Sequence, residues 1–277
     1  MNMKTLEQGL ISVILPVWKP NINQIKQCLD SLINQTYRHQ EIIIIYRKSN
    51  LYDKDFFALI DEYNDERLKV ILGEKIGFTN SLNEGILNAS GEYIARMDAD
   101  DYCELNRFEK QLEFKEKIQS NIVGSWGYSI SDDGKILGKI EMPVTHSDIR
   151  KKIMLHNPIL HPSVLMDRKI LDQVGLYDPK YIHSEDHELW FRIMYHKYKF
   201  ANVPEYLLYI RETLASRSRG SEWKINRQYY IKTKNYAFFH YGFRNPYDIL
   251  YYVLTPITYF ISPRFALKAK KAIGWYK

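Results

Sequence analysis

The chain has 277 residues, of which 45% are hydrophobic and 26% are charged, and this composition is that of a globular protein rather than a disordered one. Its two cysteines exclude a disulfide framework and a cysteine-based metal site, which fits a reducing compartment such as the cytoplasm. The net charge of +6 is concentrated at the end: residues 217–277 hold twelve Lys and Arg against two acidic residues, so residues 1–216 are acidic overall and argue against a nucleic-acid partner.

Apolar runs and helical spacings alternate along the first part of the chain. The first run predicts a strand rather than a signal peptide, since Glu7 precedes it and no small-residue cleavage site follows. The β-branched run over 42–45 is typical of a strand buried on both faces. In chain order the pattern predicts strands over 11–17, 41–45, 68–72, 92–97 and 121–126 and helices over 22–34, 56–63, 79–88 and 104–117. This order predicts an α/β fold with a mostly parallel sheet flanked by helices.

The alternation changes beyond residue 126. The pattern there predicts a hairpin over 127–140 with Asp133-Gly134 as its turn, a helix over 184–196 and a strand over 205–211. From about residue 221 it is helical, aromatic and basic. We therefore expect one α/β domain over 1–215 and a helical C-terminal extension over 216–277.

Three aspartates follow the strand over 92–97, in the turn Asp98-Ala99-Asp100-Asp101. Ligand sites in open parallel sheets lie beyond the carboxyl ends of the strands, so the turn is placed to bind a ligand. In extended backbone Asp98 and Asp100 face the same side, where a cation would relieve their repulsion. Mn²⁺ or Mg²⁺ bound by one or two carboxylates keeps positions open for phosphate oxygens. The alternative is that the aspartates cap a helix starting near Glu104.

Six segments, in this order along the chain, together resemble a known family. They are ISVILPVW over 11–18, SLINQTY over 31–37, NEGI over 83–86, GEYIARMDADD over 91–101, HPSV over 161–164 and EDHELW over 185–190. The chain is similar over about 10–211 to the family 2 glycosyltransferases, which have the Rossmann-like GT-A fold and are inverting. It lacks the Gln-x-x-Arg-Trp pattern of processive synthases, so the non-processive bacterial type is expected.

The resemblance assigns roles to residues at both acidic segments. It implies that Pro16, Val17 and Trp18 line the pocket for the base and ribose of a nucleotide-sugar donor. Asp98 and Ala99 would lie at the ribose, Asp100 would bind the metal with Asp98 as a second contact, and Asp186 would be the general base for an acceptor hydroxyl. Tyr46 stands where the family usually has an acidic residue contacting the base, so it could stack on a base or bond it but supplies no carboxylate.

The second acidic segment, EDHELW over 185–190, can also be interpreted without the resemblance. Ser184 is a predicted N-cap, which places Glu185 and Asp186 in the first helical turn, where the helix dipole stabilises them and would lower the pKa of Asp186. Capping is therefore the alternative to catalysis. Trp190, at i+4 from Asp186, would set an aromatic ring beside the acceptor. His161 and Glu185 are weaker candidates for contact with the acceptor, and His161 could contact the donor as well.

Cations could also serve a diphosphate. Lys75 and Arg96 are candidates, although ion pairing explains them equally. Arg211, Arg217 and Arg219 lie in a segment over 211–220 that we expect to be a loop able to close over phosphates.

The C-terminal extension combines apolar and basic residues. The segment over 247–261 is apolar but shorter than the roughly 18–20 residues needed to span a bilayer. Basic and aromatic residues follow it, namely Lys268, Lys270, Lys271, Trp275, Tyr276 and Lys277. This combination predicts peripheral binding to an anionic membrane surface through 247–277, on the inner face of the cytoplasmic membrane. Packing on the core or a homodimer contact are the alternatives.

Three functions are compatible with these features. The leading hypothesis is an inverting, metal-dependent glycosyltransferase that moves a sugar to a hydroxyl of a glycan or lipid-linked glycan, as in surface polysaccharide or O-antigen assembly. A non-catalytic nucleotide-sugar or membrane-binding module is the second. A sugar nucleotidyltransferase is the third, and it is disfavoured because the loop over 18–21 lacks the glycines that cradle a triphosphate.

Overall fold

The structure is a computed structural model, and it describes residues 6–211 and 223–258. The strands are β1 (Glu7–Trp18), β2 (Gln40–Arg47), β3 (Leu68–Leu72), β4 (Gly91–Arg96), β5 (Tyr102–Cys103), β6 (Ile122–Ile130), β7 (Ile136–Ile140), β8 (Leu165–Asp167) and β9 (Phe200–Arg211). The helices are α1 (Ile22–Ile33), α2 (Asp53–Tyr63), α3 (Phe78–Asn88), α4 (Arg107–Ile118), α5 (His146–Lys152), α6 (Arg168–Val174), α7 (Glu185–Tyr195), α8 (Trp223–His240) and α9 (Pro246–Thr258), with a 3-10 turn over His161–Ser163.

All nine strands belong to one sheet. Its order is β3-β2-β1-β4-β8-β6-β9-β5, with β7 paired to β6. The first four strands pair in parallel, as the sequence predicts, and β6 pairs with β9 in parallel. The other pairs are antiparallel, because β7 returns in a hairpin and β8 enters between β4 and β6 in the opposite direction. The α/β prediction is confirmed, and the sheet is parallel in its first half and mixed in its second.

The core has two layers, one on each face of the sheet. Residues along β1 alternate between them: Val13 and Leu15 pack with α1 and α2, whereas Ile14 packs with α3 and the helices after β8. Close approach of α3 to β1 depends on Gly85, since a Cβ there would lie 2.5 Å from the side chain of Ile14. At the end of β1 the chain turns directly into α1, where the Asn21 side chain accepts the N–H of Asn23 at 3.1 Å.

Helices α8 and α9 and the turn between them pack against the core layer that contains Ile14. The contacts are made by Ala237, Phe243, Tyr251 and Tyr252. Arg150 of α5 donates two hydrogen bonds to the fully buried Asp248 of α9, at 2.7 and 2.6 Å. Core packing, one of the alternatives for the extension, is therefore confirmed for the inner side of these helices.

Several sequence predictions fall outside the described residues. The expected domain boundary at 215/216 does so, as do Arg217, Arg219, Lys268, Lys270, Lys271, Trp275, Tyr276 and Lys277. Over the stretches that the structure does describe, no helix combines the length and the apolar character required to cross a membrane.

Candidate active site

The acidic turn joins β4 to β5 rather than to a helix. The N–H of Asp101 donates to the carbonyl of Asp98 at 3.3 Å, and β5 follows at once. Helix α4 starts only at Arg107, with Asn106 as its N-cap residue. The helix expected from 104 thus begins three residues later, and the interpretation of the aspartates as its caps is wrong.

The three carboxylates of the turn lie within 4.8 Å of one another but have different partners. Asp98 is held by the buried Arg96, which donates to both of its oxygens, one bond measuring 2.6 Å. Asp101 is buried; one oxygen accepts the N–H of Arg211 at 2.8 Å, and the other has no hydrogen-bond partner among the described residues. Asp100 is the exposed carboxylate of the three.

This arrangement disfavours two negative charges side by side. Although the Asp100 residue is exposed as a whole, its carboxylate is partly desolvated by the surrounding turn, which raises the pKa of Asp100 to about 6, and the Asp98 charge adds to the rise. Burial, together with Asp98 and Asp100, also raises the pKa of Asp101 well above its usual range. A divalent cation would relieve the repulsion between these carboxylates. Their oxygen atoms, one of which is buried and unpaired, are donors that Mn²⁺ and Mg²⁺ prefer.

Arg211 fixes the turn from β9, the strand that pairs with β5. It is the last residue of β9, buried, and its Nε donates to the Asp100 carbonyl at 2.9 Å. Its terminal nitrogens donate to the carbonyls of Ser131 and Asp132 and to the Gln27 side chain. Arg211 therefore braces the turn, which corrects its assignment to a loop over phosphates. Arg96, paired with Asp98, is likewise structural.

A cavity of about 290 Å³ opens beside the acidic turn. It is lined by Pro16, Val17, Trp18, Lys19, Pro20, Asn21, Gln24, Phe78, Asp98, Ala99 and Asp100. Six residues assigned to donor and metal binding by sequence thus meet in one place. Trp18 is 60% exposed, and Lys19 Nζ lies 4.6 Å and Arg47 Cζ 5.8 Å from its ring centroid.

Tyr46 is absent from this cavity. Its ring is fully buried and stacks on Phe56 of α2 with centroids 3.9 Å apart, and its hydroxyl donates to Asp53 at 2.7 Å. The prediction that Tyr46 contacts the nucleotide base is wrong, because this position of β2 faces α2 rather than the cavity. The next residue, Arg47, lies opposite Trp18 in the β1–β2 register and stands at the rim instead.

Asp186 is the second residue of α7 and lies at the end of a polar network. Its carboxylate accepts the N–H of His187 at 2.7 Å and the Asn157 side chain at 2.5 Å. His161 Nδ1 lies 3.9 Å from the Asp186 carboxylate, and the Asp186 side chain keeps 18% of its surface exposed. Burial raises the pKa of Asp186, and the hydrogen bonds and the charge of Arg96 offset this only in part. The expectation of a lowered pKa is therefore wrong, and the carboxylate is a stronger base than the helix dipole alone would make it.

Other residues predicted around Asp186 have different surroundings. His161 contacts the Tyr177 hydroxyl through Nε2 at 2.9 Å, and burial lowers the pKa of His161 well below its usual range, so it is neutral. Trp190 is fully buried against His161 and Phe200, and Glu185 is 7% exposed. Neither lies where an acceptor could meet it, so both acceptor predictions are wrong: α7 turns these residues into the core.

The predicted cap of α7 is also different. Ser184 occupies the N-cap position, but its hydroxyl is within hydrogen-bond distance, 2.7 Å, of Thr233 on α8 rather than capping the helix. The acidic first turn is thus tied to a later helix by a side-chain contact. Asp186 makes its bonds without help from Ser184.

Aromatic and amide groups to which the sequence analysis assigned no role connect the two acidic segments. Phe78, in the cavity wall, lies 5.3 Å from the Arg96 guanidinium and meets His161 edge-on at 6.3 Å. Asn83 holds Tyr177 by bonds to both its N–H and carbonyl, at 3.0 and 2.8 Å. Asn83, in the segment NEGI, therefore holds the backbone of Tyr177 in place. The motif could have indicated such a structural contact from the sequence. Asn157 carries no comparable signal.

A second depression of about 330 Å³ lies over β6 and β9. Tyr128 stacks between Tyr206 and Tyr209 there, and the hydroxyls of Tyr206 and Tyr209 donate to Glu141 and Glu104. The rings cover one another's faces, so cross-strand packing accounts for them.

Comparison with known proteins places the chain among sugar-transferring enzymes. Residues 12–175 match the family described as Glycosyl transferase family 2. An uncharacterized glycosyltransferase of Methanocaldococcus jannaschii is 30% identical, over 96% of this chain and 96% of that protein. The amylovoran biosynthesis glycosyltransferase AmsE of Erwinia amylovora is 28% identical, over 76% of this chain and 80% of its own length.

Two solved structures share the fold. Residues 1–349 of S. aureus TarS in complex with UDP-GlcNAc superpose with a TM-score of 0.69 at 16% identity, over 93% of this chain and 75% of that one. The mannosyltransferase PcManGT from Pyrobaculum calidifontis, in complex with GDP-Man and Mn²⁺, gives 0.61 at 15% identity, over 96% and 81%.

Proposed function

This chain belongs to glycosyl transferase family 2, with a GT-A fold, and we propose that it is an inverting, metal-dependent enzyme that moves a sugar from a nucleotide-diphosphate donor to an acceptor hydroxyl. The observation that carries the proposal is the cavity in which the end of β1 and the acidic turn meet, connected through Phe78 and His161 to Asp186. The binding function would thus lie at the ends of β1 and β4, and the base function beside it at the start of α7.

The donor would occupy the cavity. Trp18 offers an exposed aromatic face to the base, and Pro16, Val17 and Ala99 form apolar walls around the ribose. Lys19 and Arg47 lie beside the Trp18 ring and would be the cations next to the nucleobase. TarS and PcManGT were solved with UDP-GlcNAc and GDP-Man, which supports a nucleotide sugar as the donor class.

Asp100, with Asp98 as a second contact, would hold Mn²⁺ or Mg²⁺, which would support the departing diphosphate as a Lewis acid. Arg211 and Arg96 keep the two aspartates in place. Their bonds are made before any ligand arrives, so little reorganisation is needed at binding.

Asp186 would act as the general base. As the acceptor oxygen bonds to the anomeric carbon, the bond from that carbon to the diphosphate breaks, the nucleoside diphosphate leaves, and the hydroxyl proton passes to Asp186. Asn157 and the His187 N–H orient the carboxylate. Neutral His161 adds no competing positive charge next to it. The acceptor would be a glycan or lipid-linked glycan, and the role of AmsE in amylovoran biosynthesis supports a polysaccharide context.

A nucleotide screen by thermal unfolding tests the donor site. A diphosphate nucleotide at a hundred times its Kd should stabilise the chain by about 2.7 kcal/mol, which raises Tm by about 5 °C or more for a chain of this size. The rise should require Mn²⁺ or Mg²⁺ and be abolished by EDTA. If no diphosphate nucleotide raises Tm with either metal, the assignment of the cavity is refuted.

Sugar transfer with Mn²⁺ then separates the candidate functions. Turnover of a nucleotide sugar supports the enzyme, whereas nucleotide binding without transfer or donor hydrolysis, across a panel of donors and acceptors, favours a non-catalytic module. Pyrophosphate release from a nucleoside triphosphate and a sugar phosphate would indicate a nucleotidyltransferase. The absence of glycine from residues 18–21 argues against that last reaction.

We also propose that the C-terminal extension over 216–277, beyond a catalytic domain over 1–215, contacts an anionic membrane surface. Among the side chains of α9 that the structure describes over 247–255, the exposed ones are all apolar or aromatic and each is at least 40% exposed: Tyr247, Ile249, Leu250, Val253 and Leu254. In the sequence four lysines follow it, over 268–277. An apolar helix face beside clustered lysines fits the surface of a bilayer with anionic lipids.

Vesicle binding tests this surface. Replacing Leu250 and Val253 together by glutamate should abolish sedimentation with phosphatidylglycerol-containing vesicles, because two charges would enter the apolar layer. Leu87→Glu, at an equally exposed apolar residue of α3, should bind like the wild type. Failure of the wild type to bind would contradict the proposal, and a dimer lost only in the double variant would favour a homodimer contact.

A further inference from the structure

We propose that Lys234 of α8 is a positioning residue for the candidate base: it fixes the loop that presents Asn157 to Asp186 and ties this loop to α9. The inference rests on the proposed role of Asp186. It concerns a residue far along the chain, in a helix that the catalytic segments do not include.

Lys234 carries a buried amine with fixed partners. Its side chain is 2% exposed, and its ammonium donates to the Leu155 carbonyl at 3.2 Å and to the Thr255 hydroxyl of α9 at 3.1 Å. It also lies 4.2 Å from the ring of Tyr230, whose own hydroxyl donates to the same Leu155 carbonyl at 3.0 Å. Two donors from α8 therefore converge on one carbonyl.

That carbonyl belongs to the connection between α5 and the 3-10 turn, residues 153–160, which we call the base loop. The base loop is fastened to α7 at two further points. The Ile153 carbonyl is 2.8 Å from His187 Nε2, and the Asn157 side chain donates to Asp186 at 2.5 Å. Leu155 lies midway between these points. Holding its carbonyl fixes the path of the loop just before Asn157, and so the bond that orients the carboxylate.

Burying the amine of Lys234 costs free energy, and side-chain packing alone does not explain why a lysine lies at this position. Burial lowers the pKa of Lys234 to about 7, so the charged form is destabilised where it lies. An uncharged side chain of similar length would fill the same space without this desolvation. What the lysine adds is two directed hydrogen bonds, one to the base loop and one to α9. Thr233, its neighbour on α8, also contacts Ser184 at the start of α7, so α8 holds both sides of Asp186.

The charged and titratable groups around Asp186 come from four elements. Arg96 of β4, His161 of the 3-10 turn and Tyr230 of α8 face it, together with Tyr177 after α6. Loosening the bond from Asn157 removes an influence that lowers the pKa of Asp186. The acidic limb of the rate profile is consequently a readout that a purely structural role of Lys234 would not move.

Lys234→Met in the full-length chain tests the proposal. We expect kcat for sugar transfer to fall by about tenfold to a hundredfold, since a small misplacement of a catalytic group has an effect of this size. KM for the donor should change less than about twofold, and the acidic limb of kcat should move to higher pH. Lys232→Met is the matched control, because Lys232 is exposed on the same helix and its ammonium lies 5.3 Å from the centroid of the Tyr181 ring, away from the base loop. It should leave kcat and the pH profile unchanged.

The route through Asn157 is tested by a double-mutant cycle. In an Asn157→Ala background, Lys234→Met should produce little further loss of kcat, since the bond it protects is already gone. Equal losses in both backgrounds, or wild-type kcat and pH profile in folded Lys234→Met, would overturn the inference. Should Lys234→Met fold poorly, Tyr230→Phe removes the other donor to Leu155 and should shift the same limb in the same direction. An active Asp186→Asn enzyme would instead refute the proposed base, so the two failures are distinguishable.

Discussion

Asp100→Asn is expected to lower kcat for sugar transfer by about 10³-fold or more. The change keeps the shape of the side chain but removes the exposed negative charge of the turn, while Asp98 remains occupied by Arg96 and Asp101 by the backbone of Arg211. Asp98 could replace the lost carboxylate only by giving up its bonds from Arg96, and Asp101 is buried below the surface where Asp100 lies. The measurements are kcat as a function of Mn²⁺ concentration and the calorimetric affinity for Mn²⁺ in the presence of the donor's nucleotide.

Asp61→Asn is the matched control, because Asp61 is an exposed carboxylate on α2 outside the cavity. It should have the kcat and the Mn²⁺ dependence of the wild type. Since Asp100 is exposed and the turn disfavours its charge, its substitution should leave Tm without metal unchanged or slightly higher. Full activity of Asp100→Asn would remove this residue from the metal site.

Asp186→Asn should reduce kcat by about 10²- to 10⁴-fold, the usual contribution of a general base. Asparagine can still occupy the space beside Asn157 and the His187 N–H, but it cannot accept the acceptor proton. Donor binding should be unchanged, because the residue lies outside the cavity lining. Single-turnover transfer and nucleotide affinity, measured on the same preparation, separate the two effects.

The pH dependence of the wild type has a defined sign. Because burial raises the pKa of Asp186, its ionised form is lost as pH falls through that raised pKa, and kcat should fall with it on the acidic side. The residual activity of Asp186→Asn should lack this limb. Asp172→Asn, an exposed carboxylate on α6, should keep both the rate and the limb. A limb retained by Asp186→Asn would assign it to another group.

Local pattern predicted the parts of the molecule that depend on neighbours in sequence. The isoleucine run of β2 and the alternation along β1 are direct consequences of burial between two helical layers. The position of the acidic turn at the end of a strand was predicted correctly, because the apolar run of β4 stops directly before the aspartates. Short elements such as β5, β8 and α6 were not predicted, since two to seven residues are too few for a period to emerge.

Side-chain direction could not be predicted where tertiary contacts decide it. Tyr46 and Trp190 stand at positions with a functional expectation, yet both face the core, because β2 and α7 are covered on those sides. The pKa of Asp186 shows the same limit in energetic terms. The helix dipole can be predicted from sequence, but the burial that outweighs it depends on tertiary packing, in which segments distant along the chain bring His161 and Asn157 next to Asp186.

The packing of Tyr46 also constrains how a preference for one nucleobase could change over evolutionary time. A carboxylate exchanged into position 46 would enter the layer between β2 and α2, against Phe56, where an unpaired charge costs several kcal/mol. Such a variant would lose stability before it gained a new contact. Adaptation to another donor would therefore proceed through the solvent-accessible rim formed by Trp18, Lys19 and Arg47, whose replacement leaves the interior undisturbed.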